Sequence, residues 1–166
     1  MKYRHILENI IKILIAFCLF SVFLLVLWQV ISRYILGDPS RFTDEAVRYL
    51  MIWMMGFAAS LAFGIHEKHI SLTIFKDKLN PFTYLMLDLL FTILICAFCA
   101  IFLIKGGYNL AIFSWYESTN SLGFSKGYVF LILPIMGVLI CIFKILDWFD
   151  LRHIYKTNPT HIYDAR

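Results

Sequence analysis

Residues 13–32 read ILIAFCLFSVFLLVLWQVIS and contain no charged side chain. At a rise of about 1.5 Å per residue, a helix of these 20 residues covers about 30 Å, the thickness of a bilayer's hydrocarbon core. In lipid every backbone N–H and C=O needs a partner inside the protein, and a helix supplies one for nearly all of them. The stretch is therefore predicted to be a spanning helix. Three more charge-free runs follow at 49–65, 89–104 and 127–143. Uncharged flanks, or Lys and Arg whose apolar stems lie along lipid, extend each of them. The expected fold is an all-α integral membrane protein forming a single membrane domain over 1–166. Its four transmembrane helices are expected at about 10–33, 44–65, 82–116 and 127–147, with short amphipathic interfacial segments.

Composition agrees, since 61% of residues are hydrophobic and only 16% charged, far from the balance of a soluble domain. Lys2, Arg4 and Lys12 precede the first run as they would in a signal peptide. That run is too long for a signal's apolar region, and Ile31-Ser32-Arg33-Tyr34 offers no small-x-small cleavage site, so it is read as retained. The net charge of +4 does not point to nucleic acid, because Lys and Arg flank the spans instead of forming a patch. Ten of them (Lys2, Arg4, Lys12, Lys68, Lys76, Lys78, Lys144, Arg152, Lys156, Arg166) fall on one side and five (Arg33, Arg41, Arg48, Lys105, Lys126) on the other. The positive-inside rule then places both termini in the cytoplasm.

Ahead of the first span, Tyr3, Ile6, Leu7, Ile10 and Ile11 recur at helical spacing opposite Arg4, His5, Glu8 and Lys12. This amphipathic helix lies in the interface or leads straight into the span. Another interfacial segment is expected between spans two and three, where Asn80-Pro81 ends a mixed stretch around Lys76-Asp77-Lys78. The third span is expected to run past Lys105 to Trp115-Tyr116, residues that favour the headgroup level, and Pro134 predicts a local kink in the fourth. The polar tail is expected to fray after Asn158-Pro159. No span is expected to carry a charge near its centre. Asp88 comes nearest, and a capped or paired place near the cytoplasmic interface is the simpler reading beside an ion-coupling role.

The loop after the first span offers the most chemistry: Arg33, Arg41, Thr43, Asp44, Glu45 and Arg48 lie within 16 residues. Thr43 is placed to cap the second helix, with Asp44 and Glu45 in its first turn at the positive end of the helix dipole. Asp44 and Glu45 stand four and three residues before Arg48, spacings that allow ion pairs. A capped, solvated helix start and a docking site for a partner both fit. Within the second span, Gly56, Ser60 and Gly64 form a stripe with Ala59 beside it, shaped for close helix contact with this chain's own spans or with another subunit. Trp53 anchors the edge of that stripe or faces lipid. His66 and His69 are a poor zinc set without further ligands and are read as interfacial. Cys96-x-x-Cys99 lies in an apolar run and is read as packing, not as a redox pair.

The order of these features resembles the small membrane subunit, DctQ type, of the tripartite ATP-independent periplasmic (TRAP) transporters. Arg33-Tyr34 closes the first span, and Pro39 precedes Phe42-Thr43-Asp44-Glu45, followed by Arg48. Ile52-Trp53-Met54-Met55-Gly56-Phe57-Ala58-Ala59 is similar to the family's Trp and Gly-x-Ala pattern, and His69-Ile70-Ser71-Leu72 to its exit from span two. The likeness is concentrated in residues 33–72. Phe42 replaces a frequent Trp, Glu67 a common Gly, Ser125-Lys126 the usual Pro opening span four, and Gly137 follows Pro134 one residue late. The resemblance implies a scaffold in the bacterial cytoplasmic (inner) membrane. Its implied partners are a large membrane subunit holding the substrate and sodium sites and a soluble periplasmic binding protein delivering an organic acid or acidic sugar, such as a dicarboxylate or sialic acid. Membrane lipids surround the chain, and no cofactor of its own is implied.

Enzyme readings fit less well. A disulfide-generating quinone reductase needs cysteine pairs in outer loops, whereas Cys18, Cys96, Cys99 and Cys141 all lie in apolar runs. A haem-binding subunit needs histidines within its spans, but His5, His66, His69, His153 and His161 lie outside or at their edges. A self-contained small multidrug carrier is expected to bear a membrane-embedded carboxylate in its first span, and this one has none. The remaining alternative is an accessory subunit of another membrane complex.

Overall fold

The computed structural model describes residues 2–37, 40–64 and 81–157. Four helices among them are long and apolar enough to cross a bilayer: Arg4–Leu36, Arg41–Gly64, Leu85–Tyr116 and Gly127–Asp150. The segment containing His66, Glu67 and His69, and the tail beyond residue 157, lie outside the described residues. The all-α, four-span architecture is thus the one the charge-free runs predict.

The first helix runs unbroken over Lys2–Ile31, continues as a π-helical stretch over Ser32–Leu36 and stops at Gly37, whose φ of +68° suits a residue without a Cβ. The N-terminal segment leads straight into the span. Its apolar stripe divides: Ile6 and Ile10 are exposed where lipid would lie, while Ile11 packs in the core with Leu7 against it, and Arg4 and Glu8 of the polar side are buried against the bundle as well. Partners explain the buried charges. The Arg4 guanidinium donates to Glu8 at 2.8 Å, to Asp147 at 2.5 Å and to the carbonyl of Gly64, and Asp150 lies 3.7 Å away. A buried cation is tolerable only when paired and hydrogen-bonded, and Arg4 is both.

The third span is continuous from Pro81 to Tyr116, with a π-helical stretch over Cys99–Gly106 and a closing 3-10 turn over Ser114–Tyr116. It passes Lys105 as expected. The expectation that no span carries a charge near its centre is therefore corrected, because Lys105 lies well inside the span Leu85–Tyr116. Its charge interrupts the apolar run without ending the helix. In the fourth span, helix Gly127–Phe130 is separated from helix Ile132–Thr157 at Leu131. Pro134 has no N–H, and its ring crowds the carbonyl four residues back, so the ladder breaks just ahead of it.

The first span packs on the second, the second on the fourth, and the fourth on the third. Without a hydrophobic force between helices in lipid, shape complementarity holds such a bundle together. Ile11, Phe57, Leu61, Ile132 and Phe143 form its core. The small-residue stripe faces this core: a Cβ on Gly56 would strike the Ile132 side chain, and one on Gly64 would meet the Phe143 ring at 2.9 Å. Ser60 between them is fully buried and donates its hydroxyl to the carbonyl of Gly56 at 2.7 Å.

Candidate functional site

The end of the bundle away from the termini gathers the polar residues of the loop after the first span. Helix Arg41–Gly64 begins two residues ahead of Thr43, so Thr43 is not its cap. Its buried hydroxyl instead donates back to the Ser40 carbonyl at 2.8 Å, three residues earlier. Asp44 and Arg48 form the i, i+4 pair at 3.0 Å on an exposed face. Glu45 does something else. One of its oxygens accepts the Tyr49 hydroxyl at 2.8 Å and the Asn120 N–H at 3.1 Å, and the other accepts the Ser121 N–H at 2.7 Å.

Those two amides belong to the loop joining spans three and four, which folds back on itself. Thr119 N–H donates to the Phe124 carbonyl at 2.8 Å and Lys126 N–H to that of Glu117 at 2.9 Å. Gly123, at φ +72°, makes the turn. A carboxylate accepting backbone N–H groups is a charge-assisted anchor, so Glu45 pins this hairpin-like loop to the second span.

Two cavities flank the pin. One, of about 460 Å³, is lined by Gln29, Ser40, Arg41, Asp44, Glu45, Arg48, Asn120 and Ser121. The other, of about 370 Å³, is apolar and is framed by Tyr49, Leu50 and Trp53 on the second span and by Leu122, Phe124 and Tyr128 across from them. Trp53 thus lines a cavity and also packs on Phe57, with ring centroids 5.8 Å apart. Of the residues singled out in the sequence, Arg41, Asp44, Glu45 and Arg48 come together in the polar cavity. Arg33 does not; it lies over the Tyr34 ring at 5.9 Å. Gly56, Ser60 and Gly64 sit deeper and face the fourth span, with Ala59 half-buried beside them. Asp88 is buried in the third span, and His69 lies outside the described residues. Sequence reasoning missed Asn120 and Ser121, whose only signal is a short polar turn ahead of Gly123.

Among the described residues no group of three or more His, Cys, Asp and Glu is placed to hold a metal. Residues 22–153 match the family of tripartite ATP-independent periplasmic transporters, DctQ component. The chain belongs to the DctQ family. The match extends far beyond the stretch 33–72 in which the resemblance is concentrated, and takes in the second half of the first span and the other three spans. The sialic acid TRAP transporter small permease protein SiaQ of Vibrio cholerae is 26% identical over 151 residues, covering 91% of this chain and 86% of that protein. A protein of Haemophilus influenzae predicted to be a TRAP transporter small permease is 28% identical over 143 residues, covering 82% and 83%. This DctQ-family chain is accordingly a transporter component and not an enzyme, and a multi-pass protein of the bacterial inner membrane. Membership implies partnership with a large membrane subunit and a periplasmic binding protein.

Proposed function

We propose that this DctQ-family subunit is the scaffold of a sodium-driven, binding-protein-dependent carrier that imports organic acids or acidic sugars. The substrate and sodium sites belong to the large membrane subunit. The family match over residues 22–153 carries this reading, and the likeness to a sialic acid small permease supports an acidic sugar as one substrate class. The interior supports a holding role: the second and fourth spans close on each other through Gly56 against Ile132 and Gly64 against Phe143. Asp88 is then a structural carboxylate. The loop-end cavity, with Arg41 and Arg48 at its rim, is read as a docking point for an acidic side chain of the binding protein.

The test is reconstitution of both membrane subunits in liposomes, with the binding protein and labelled sialic acid or dicarboxylate supplied outside. Uptake is expected to need an inward sodium gradient and all three components. Asp88→Asn is expected to keep uptake within about threefold, since a polar substitute remains at a position off the ion path. Full uptake without this chain would sink the scaffold reading, and loss of uptake in an assembled Asp88→Asn complex would make the chain part of the ion path.

A further inference from the structure

Lys105 sits close to mid-membrane. Trp115 and Tyr128 pair at the loop end with ring centroids 4.7 Å apart, and such rings favour the headgroup level. Ten residues separate Lys105 from Trp115, a rise of about 15 Å, which is half of a hydrocarbon core about 30 Å thick. Toward the other end the span continues to Leu85. The Lys105 side chain is exposed, and it makes no hydrogen bond or ion pair among the described residues. A charge in that position is costly in lipid. Snorkelling does not rescue it, since the stem and ammonium reach only about 6 Å. Moreover, Cα–Cβ bonds in a helix tilt toward its N-terminus, here away from the nearer interface.

The neighbours of Lys105 point the same way. Asn109, one turn on, is also exposed, so two polar side chains share a face with exposed Ile101, Phe102 and Ile112. Gly106 opens outward: a Cβ there would meet nothing nearer than the Ile101 carbonyl oxygen at 3.7 Å. The adjacent Gly107 packs inward, where a Cβ would press on Leu133 at 2.6 Å. A glycine inside a helix lowers helix stability relative to alanine, and Gly106 recovers nothing for it within this chain. It does leave a notch into which a second helix fits closely.

We propose that the face of the third span carrying Lys105, Gly106 and Asn109 is a seam with the large membrane subunit, and that a carboxylate on a helix of that subunit receives the Lys105 ammonium near mid-membrane. The inference rests on the reading that this chain pairs with such a subunit. Charge complementarity selects the occupant. A cation removed from water requires an opposite charge with good hydrogen-bond geometry, and lipid tails offer neither. A second copy of this chain offers no exposed carboxylate at that depth among the described residues, and a symmetric contact would set one lysine against another.

The test uses both membrane subunits expressed together. With p-benzoylphenylalanine at Asn109, irradiation of intact membranes is expected to yield an adduct with the combined mass of the small and large subunits. In pull-down, Lys105→Glu is expected to lower recovery of the large subunit about tenfold, and Lys105→Arg to keep it within about threefold. Wild-type chain that recovers no large subunit would defeat the carrier-subunit reading itself. If the wild type recovers it while Asn109 cross-links only to lipid or to a second copy, the seam is overturned and the pairing stands. Unchanged recovery with Lys105→Glu overturns it as well. Should Lys105→Glu fail to accumulate, the Asn109 adduct alone decides, because that chain keeps its lysine.

Discussion

Glu45 and Asp44 are neighbours in the chain with different occupations. Asp44 answers Arg48 one turn away, a pair that helix spacing makes legible, whereas Glu45 reaches across to the amides of Asn120 and Ser121. No local pattern announces a contact between residues 75 apart in sequence. Replacing Glu45 with Gln keeps the side-chain length but swaps a charged acceptor for a neutral one. The loop over 119–124 is then expected to open more often, with amide hydrogen exchange there faster by about tenfold, while Asp44→Asn leaves it unchanged. Equal exchange in the two variants would mean that the loop's own bonds, not Glu45, hold it in place.

At the scale of helices, the spans were legible because an uncharged run of sufficient length has few other uses, and their order and approximate limits follow from it. What the runs could not convey is which side of each helix turns inward. The amphipathic pattern of residues 3–11 left open how its polar side would be used, and the partners of Arg4, supplied by the second and fourth spans, turn that residue inward. The continuation of the third span past Lys105 was legible from the apolar residues that lead on to Trp115-Tyr116. The small-residue stripe was legible as a contact surface, while its partner emerged only when Ile132 and Phe143 were seen against it. Gly56→Leu is accordingly expected to cost about 1–3 kcal/mol through overpacking. It should appear as a lower melting temperature in detergent and reduced accumulation in the membrane. Gly106→Ala, on the open side, is expected to lower neither, since alanine favours the helix and meets no side chain there. A Gly56→Leu chain as stable as the wild type would show that Ile132 can move aside.

For the molecule as a whole, orientation is an expectation from charge: ten basic residues fall on one side of the predicted topology and, with Lys105 inside the third span, four on the other. Alkaline phosphatase fused after Arg166 is expected to be inactive, and the same reporter inserted beside Asn120 active; the opposite pattern would turn the loop-end cavity toward the cytoplasm and end its proposed docking role. The buried Arg4 cluster ties both ends of the chain together, with Arg4 and Asp147 separated by 143 positions. Synthesis proceeds from the N-terminus, so the first span enters the bilayer long before Asp147 leaves the ribosome. Throughout that interval Arg4 lacks the Asp147 carboxylate; Glu8 is on its own helix from the start and the Gly64 carbonyl arrives with the second span. The bundle can therefore shut only when translation is nearly complete. A chain that terminates early leaves Arg4 with Glu8 but short of its second carboxylate, a mark by which quality-control proteases could tell the fragment from the finished subunit.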